Sequence, residues 1–354
     1  MAIVRIYASN VTEQERILFQ LNEEMAKSLL PVVCVLATLM CIGFIGNSSV
    51  LYVYRSKTSR KTERIFIMFL AVLDSINCLF AMPLEIYDIQ HLYLFENMIF
   101  CKLMRLVEYC VTITSGLVLV SISFDRYYSI CKPLQQFTGR KAKLVCSLCV
   151  SLAVLLSWPV LYFANSRDIF LEFENLTGKQ CSMAPDDALN YHLYRIYYIC
   201  LASVMLICAI VLVLVYTLIG TEIHRWLKRQ RRARKHSYPS VLTNSHSSAI
   251  SNGMLCNVTT PSVSSSGRAQ EICIRSAAVF FSVTLTFILS FLPHLVVRFH
   301  ELMNEPIVGT NKIMTNVLIR SYLINNVVNP FIYSILNKRF REKLVETFSK
   351  CKIK

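Results

Sequence analysis

Charge is scarce in this chain. Only 17% of its 354 residues are Asp, Glu, Lys or Arg, and 22 acids stand against 37 basic residues. A soluble chain of this length forms two or three domains with polar residues spread throughout. Here the few charges are crowded between long stretches that have almost none. The amino end, MAIVRIYASN, lacks an apolar core, so no cleavable signal peptide is expected and the first long apolar block serves as its own insertion signal. The seven histidines are scattered and no metal-ligand spacing occurs. That argues against a metal site and against an enzyme with clustered histidines or acids at a membrane face. Inverted repeats and paired charges along a pore, which a seven-span transporter would carry, are not visible either.

What is abundant is apolar sequence, 54% of residues, gathered in blocks. A helix needs about 20 apolar residues to cross a bilayer. Residues 29–54, 65–87, 145–163, 196–219 and 277–297 meet that length, and two less pure blocks run from Cys101 to Ile130 and from Ile313 to Leu336. Seven membrane-spanning helices are therefore expected. Lys and Arg in short loops favour the cytoplasm. They crowd RSKTSRKTER after the first span, Lys132, Arg140, Lys141 and Lys143 after the third, RWLKRQRRARK after the fifth and NKRFREK after the seventh. The opposite loops mix signs, with Glu85, Asp88, Glu96, Glu172, Glu174, Asp186, Asp187, Glu301 and Glu305 assigned to them. The amino end is thus expected outside, and the net charge of +15 forms a cytoplasmic belt facing anionic lipid or a partner rather than nucleic acid.

The organisation follows. Residues 1–28 read as a short polar extracellular tail, 29–336 as the seven-span domain, and 337–354 as an amphipathic helix and cytoplasmic tail. Asn10 and Asn175 begin glycosylation triplets on the outer side, whereas the triplets at Asn47 and Asn257 fall where they cannot be used. Residues 229–270 turn from basic to rich in Ser, Thr and Asn, which predicts a disordered loop: a linker, or a target for basic-directed kinases. Phe340, Leu344 and Phe348 recur every four residues among basic ones, as in a helix lying on the inner membrane surface. Cys351 beyond them is a palmitoylation candidate or a plain thiol. Of 14 cysteines, only Cys101 and Cys181 fall at or beyond the outer face, and a disulfide between them would tie the second outer loop over the bundle.

Ionisable residues inside spans are functional candidates by default. Asp74 sits in mid-span, Ser115 near the middle of the third span, and Asn325, Asn326 and Asn329 in the seventh. Their oxygens suit a hydrated cation or a polar network, or else serve packing alone. Twenty-five residues separate Cys101 from Arg126, about 37 Å of helix. One helix can then start at the outer cysteine and deliver Asp125 and Arg126 to the inner face. There the pair is either the solvated end of an apolar helix or a working part. Glu108, two turns below Cys101, points into the outer half of the bundle or toward a neighbour. Pro293 and Pro330 are expected to break the sixth and seventh spans.

Gly46-Asn47, LAxxD ending at Asp74, Cys101, Asp125-Arg126-Tyr127, Trp158, Tyr216, Phe287, Pro293 and Asn329-Pro330-x-x-Tyr333 occur in this order, one set per span. Together they resemble the rhodopsin-like (class A) G-protein-coupled receptors over residues 29–350. The resemblance implies a seven-helix bundle that is not an enzyme. It sits in the plasma membrane, works with a heterotrimeric G protein, and has arrestin and receptor kinases as further partners. Asp125 and Arg126 are then an inner-face latch, with Tyr216 and Tyr333 beside it and Pro133-Leu134 as an apolar plug for a groove on the G protein. Asp74, Ser115, Asn325 and Asn329 match the family's allosteric sodium pocket, with Asn47 and Asn326 in the same network.

The chain departs from the pattern at Phe291 (usually Trp), Cys208 (usually Pro), Phe69 (usually Asn) and Cys273 (usually an acid, here displaced to Glu271). Without an acid at 273, Asp125 is expected to hold Arg126 alone, with constitutive signalling as the consequence. Leu323 stands where an opsin carries its retinal lysine, which excludes retinal attachment. Glu108 replaces the aspartate of amine receptors. Glu108, Arg105, His294 and Arg298 give the outer cavity mixed charge, and the loop before Cys181 alternates as a hairpin lid would. The ligand expected is a neuropeptide or peptide hormone, with a lipid or other small molecule as the alternative.

Overall fold

The structure, a computed structural model, describes residues 13–55, 61–135, 137–171, 176–236, 265–303 and 312–351. Asn10, Asn175 and residues 237–264 of the third inner loop lie outside them, as do the side chains of Pro133 and Cys351.

Among the described residues, six helices are long and apolar enough to cross a membrane: Leu30–Arg55, Lys61–Gln90, Met98–Cys131, Gly139–Phe163, Ala188–Arg232 and Glu271–Met303. The seventh span comes in two pieces, Lys312–Ile319 and Asn325–Leu336, joined by a 3-10 turn at Ser321–Ile324. The bundle is inverted relative to a soluble core. Ile45, Leu155, Leu206 and Leu289 are more than half exposed around the outside. Asn47, Asp74, Ser115, Asp125 and Arg126 are at most 2% exposed inside. A lipid-facing surface favours this distribution, because polar groups can find partners only in the interior. The third span is central and packs on the second, fourth, fifth and sixth.

The prolines act differently from the expectation. The sixth span runs unbroken from Ser265 to Met303 through Pro293, and Pro330 sits inside Asn325–Leu336. In a membrane, neighbouring side chains can satisfy a carbonyl that a proline leaves free. The carbonyl four residues before Pro330 belongs to Asn326, and it accepts from Asn47 Nδ2 at 2.7 Å. The Ser290 carbonyl, near Pro293, accepts from Ser321 Oγ at 2.7 Å. The close approach behind the first of these bonds needs Gly46, where a Cβ would meet Pro330 Cγ at 2.9 Å. The second span is irregular instead, with a π turn at Asn77–Ala81 just before Pro83.

Helix extends beyond expectation at the amino end and on both sides of the third inner loop. Residues 13–28, read as a tail, form a helix docked by Asn22, which donates to the Gln90 carbonyl (2.8 Å) and accepts from the Tyr93 amide (3.1 Å). The fifth helix continues to His236 and the sixth starts at Ser265, so the expected disordered stretch 229–270 is helical at both margins. Arg225 and Arg229 pair with Glu222 there, and Lys and Arg are good helix formers. The carboxy-terminal helix Lys338–Cys351 buries Phe340 against Tyr54 and Tyr333, with ring centroids 5.8 and 6.2 Å away.

The second outer loop is a hairpin, β1 (Asn165–Leu171) antiparallel to β2 (Leu176–Ser182). Cys181 at its end is disulfide-bonded to Cys101 at the top of the third span. Gly178 lets β2 lie against the loop after the second span, since a Cβ there would meet the Tyr93 carbonyl oxygen at 2.9 Å. This anchoring roofs the end of the bundle that carries the disulfide, called outer below.

Candidate functional site

The outer half encloses a cavity of about 600 Å³ bounded by the second, third, fifth, sixth and seventh spans and by Gln180–Ala184 at the end of the hairpin. Its walls combine five tyrosines, Tyr109, Tyr191, Tyr194, Tyr198 and Tyr322, with charged groups. The charges are organised around Arg105 on the third span. Its guanidinium donates to Glu85 in a very short bond, to Glu108 at 2.9 Å and to Asp88 at 3.0 Å. From the seventh span, Arg320 reaches Glu85 at 2.7 Å and Asp88 at 3.7 Å. Tyr322 completes the set by donating its hydroxyl to the second oxygen of Glu108 at 2.5 Å. A buried charge is tolerated only when partnered, and here two guanidinium groups and the Tyr322 hydroxyl share three carboxylates across the second, third and seventh spans.

Sequence reasoning found Arg105 and Glu108 but placed Glu85 and Asp88 in an outer loop. They lie instead in the helix Met82–Gln90, held inside the bundle by the two arginines. Arg320 and Tyr322 were missed altogether. An arginine within the apolar seventh block was the available signal.

The other expected cavity residues fall into place around this cluster. His294 Nδ1 donates to the Ile319 carbonyl at 2.5 Å, and Arg298 pairs with Glu301 one turn along its own helix. Phe291 stacks on Phe287 (5.2 Å) and leans on Tyr322 (5.7 Å). A line of contacts thus runs from Glu108 through Tyr322 and Phe291 to Phe287 in the core.

Below it lies the polar layer. Asp74 accepts from Asn329 at 2.8 Å, linking the second and seventh spans. Asn326 ties together Asn47, through its carbonyl, and Asn77, whose amide reaches its side-chain oxygen at 2.9 Å. Asn77, on the π turn, is a member that sequence reasoning missed. Oδ1 of Asp74, Oγ of Ser115 and Oδ1 of Asn325 and Asn329 are buried without a hydrogen-bond partner among the described residues.

At the inner end Asp125 and Arg126 are both 0% exposed, which rules out a solvated helix terminus. Arg126 Nη2 binds Asp125 in a very short ion pair. Its Nη1 donates to Ser276 Oγ on the sixth span at 2.7 Å and lies 4.0 Å from Glu63 on the second. The expectation that Asp125 holds Arg126 alone is therefore corrected. The sixth-span partner is Ser276, one turn beyond Cys273. Tyr216 bonds Thr284 at 3.4 Å and Tyr333 packs on Tyr54, so neither tyrosine bonds Arg126 in this state. Leu134, in the 3-10 turn Pro133–Gln135, is 99% exposed.

Residues 46–333 match the model of the 7 transmembrane receptor (rhodopsin family). This chain belongs to that family. As a receptor it is similar to the human cholecystokinin receptor type A, 28% identical over 346 residues, 88% of this chain and 78% of the relative. It is also similar to the rat pyroglutamylated RF-amide peptide receptor, 23% identical over 90% of this chain and 70% of the relative. In fold the receptor matches squid rhodopsin with a TM-score of 0.69 at 17% identity, covering 93% of this chain and 81% of that one. The protein is thus a membrane-spanning signalling receptor and not an enzyme.

Proposed function

We propose that this receptor sits in the plasma membrane with its amino end outside, binds a peptide in the outer cavity, and passes the signal to a heterotrimeric G protein. The observation that carries the ligand reading is the cavity wall, where paired acids and arginines stand opposite tyrosines under a disulfide-anchored hairpin. Peptides offer charges of both signs together with apolar side chains, so mixed walls suit them better than they suit lipids. The printed names of the relatives, which refer to cholecystokinin and to an RF-amide peptide, support the same class. An amine reading is less favoured because both oxygens of Glu108 are engaged, by Arg105 and Tyr322.

On ligand binding, a group that competes for Glu108 loosens Tyr322 and hence Phe291 and Phe287. The sixth span then moves and uncovers Arg126 beside exposed Leu134. Arrestin and receptor kinases belong to the same proposal, as does contact of the basic inner face with anionic lipid. Bound sodium is a second element. The buried unpartnered oxygens of Asp74, Ser115, Asn325 and Asn329 fit a small cation, whose charge would stabilise the resting arrangement.

The test is a G-protein dissociation assay in cells expressing the receptor, run over a peptide library and, in parallel, over lipid fractions. Activation by a peptide, lost in Glu108→Gln at equal surface expression, is expected. Activation by lipids and by no peptide would overturn the ligand reading.

A further inference from the structure

The groups around Arg126 differ in kind according to the helix that supplies them. The second and third spans contribute carboxylates, Glu63 and Asp125. Among the described residues, the sixth span contributes neutral groups alone: the Ser276 hydroxyl at 2.7 Å and the face of Phe280, whose centroid is 5.2 Å from the guanidinium carbon. The ion pairs of the sixth span among the described residues, Arg275–Glu271 and Arg298–Glu301, lie within the span itself. Moreover, Ser276 and Glu63 address the same nitrogen, Nη1, one bonded to it and the other waiting at 4.0 Å.

We propose that Ser276 is the residue fastening the sixth span to Arg126, and that Glu63 takes over Nη1 when Ser276 leaves. Separating a buried ion pair strands two charges, whereas this exchange strands none. The departing serine can bond a carbonyl of its own helix one turn back, and the arginine moves from one carboxylate and a hydroxyl to two carboxylates. The sixth span is therefore released without charge separation, and the contest between Ser276 and Glu63 sets the resting level of signalling. Both are positioning residues that act through Arg126. The inference rests on the receptor reading above.

The experiment uses the full-length receptor in lipid nanodiscs. Fluorophores on unnatural amino acids at Gln135 and Glu271 report the separation of the third and sixth spans, and nucleotide exchange is followed on a panel of G proteins. Ser276→Ala is expected to raise the ratio of open to closed receptor on the order of tenfold, since a hydrogen bond to a charged group is lost. Ser276→Thr, which keeps the hydroxyl, is expected to rescue the closed population. Glu63→Gln is expected to lower the open population, a sign opposite to that of Ser276→Ala. A purely structural role for these residues would move stability and leave that opposition absent.

An unchanged distance distribution in Ser276→Ala, or a rise in Glu63→Gln, overturns the proposal. Asp125→Asn separates the two levels of inference. If it opens the receptor while Ser276→Ala does not, the receptor reading stands and the Ser276 contact is refuted. If no variant changes either the distance or nucleotide exchange, both fail.

Discussion

Two buried arginines on the third span organise the two ends of this receptor, and they are held differently. Arg105 sits among Glu85, Asp88 and Glu108, with Arg320 closing the cluster from the seventh span. Arg126 has Asp125 beside it, Glu63 across from it, and a serine on the sixth span. At the outer end, ion pairs join the second, third and seventh spans into one block. The sixth span is attached there through neutral bonds, His294 to Ile319 and Ser321 to Ser290. At the inner end the same division recurs. The sixth span is therefore the helix that can move at the lowest electrostatic cost, because the buried charges it would leave behind, Arg105, Arg320 and Arg126, are already paired elsewhere.

The largest expected effect comes from breaking the outer block. Arg105→Met leaves three carboxylates facing Arg320 alone, and removing one partner of a buried pair costs about 3–5 kcal/mol. The expected outcome is a steep loss of receptor at the cell surface and a lower Tm in detergent. An unchanged Tm would remove the contrast between the two ends.

Next comes the inner end. Asp125→Asn takes away the stronger of Arg126's ion pairs and is expected to raise basal nucleotide exchange by about ten- to a hundred-fold, on the order of the 1.5–3 kcal/mol of a hydrogen bond to a charged group. Basal activity equal to that of the parent receptor at matched surface expression would sink the latch.

Tyr322→Phe removes one hydroxyl from Glu108 and should cost about 1–3 kcal/mol, read as a drop in Tm together with greater mobility of Phe291 by 19F NMR. A neutral outcome would detach the outer cluster from the core aromatics. The smallest effect is expected from Asn22→Ala, about 1 kcal/mol. It should undock the amino-terminal helix and speed hydrogen exchange in residues 13–28 while leaving the seven spans protected.

Much of this architecture was legible without coordinates. A span must satisfy its own backbone, so the length of each apolar block gives each helix. The disulfide was legible because Cys101 and Cys181 alone sit at the outer face, and the hairpin because its residues alternate. Asp74 was legible as an interior group from the cost of charge in lipid, whereas the Asp125–Arg126 pair read equally as a solvated helix end until its burial was seen.

Which side chains meet across helices was not legible. Glu85 and Asp88 look like loop acids in one dimension. They follow the π turn Asn77–Ala81, whose extra residue rotates the rest of the helix relative to a regular spiral. Arg320 reaches them from a turn between two helices, and Ser276 meets Arg126 from 150 residues away. Nothing local marks that serine among the others.

The sequence by itself determined the number and order of the spans, because bilayer thickness and backbone satisfaction act on each segment separately. Only the tertiary structure decided the partners of Arg105 and Arg126. Pairing depends on the rotation and depth of every helix at once, and in a low-dielectric interior a few ångströms separate a paired charge from a stranded one.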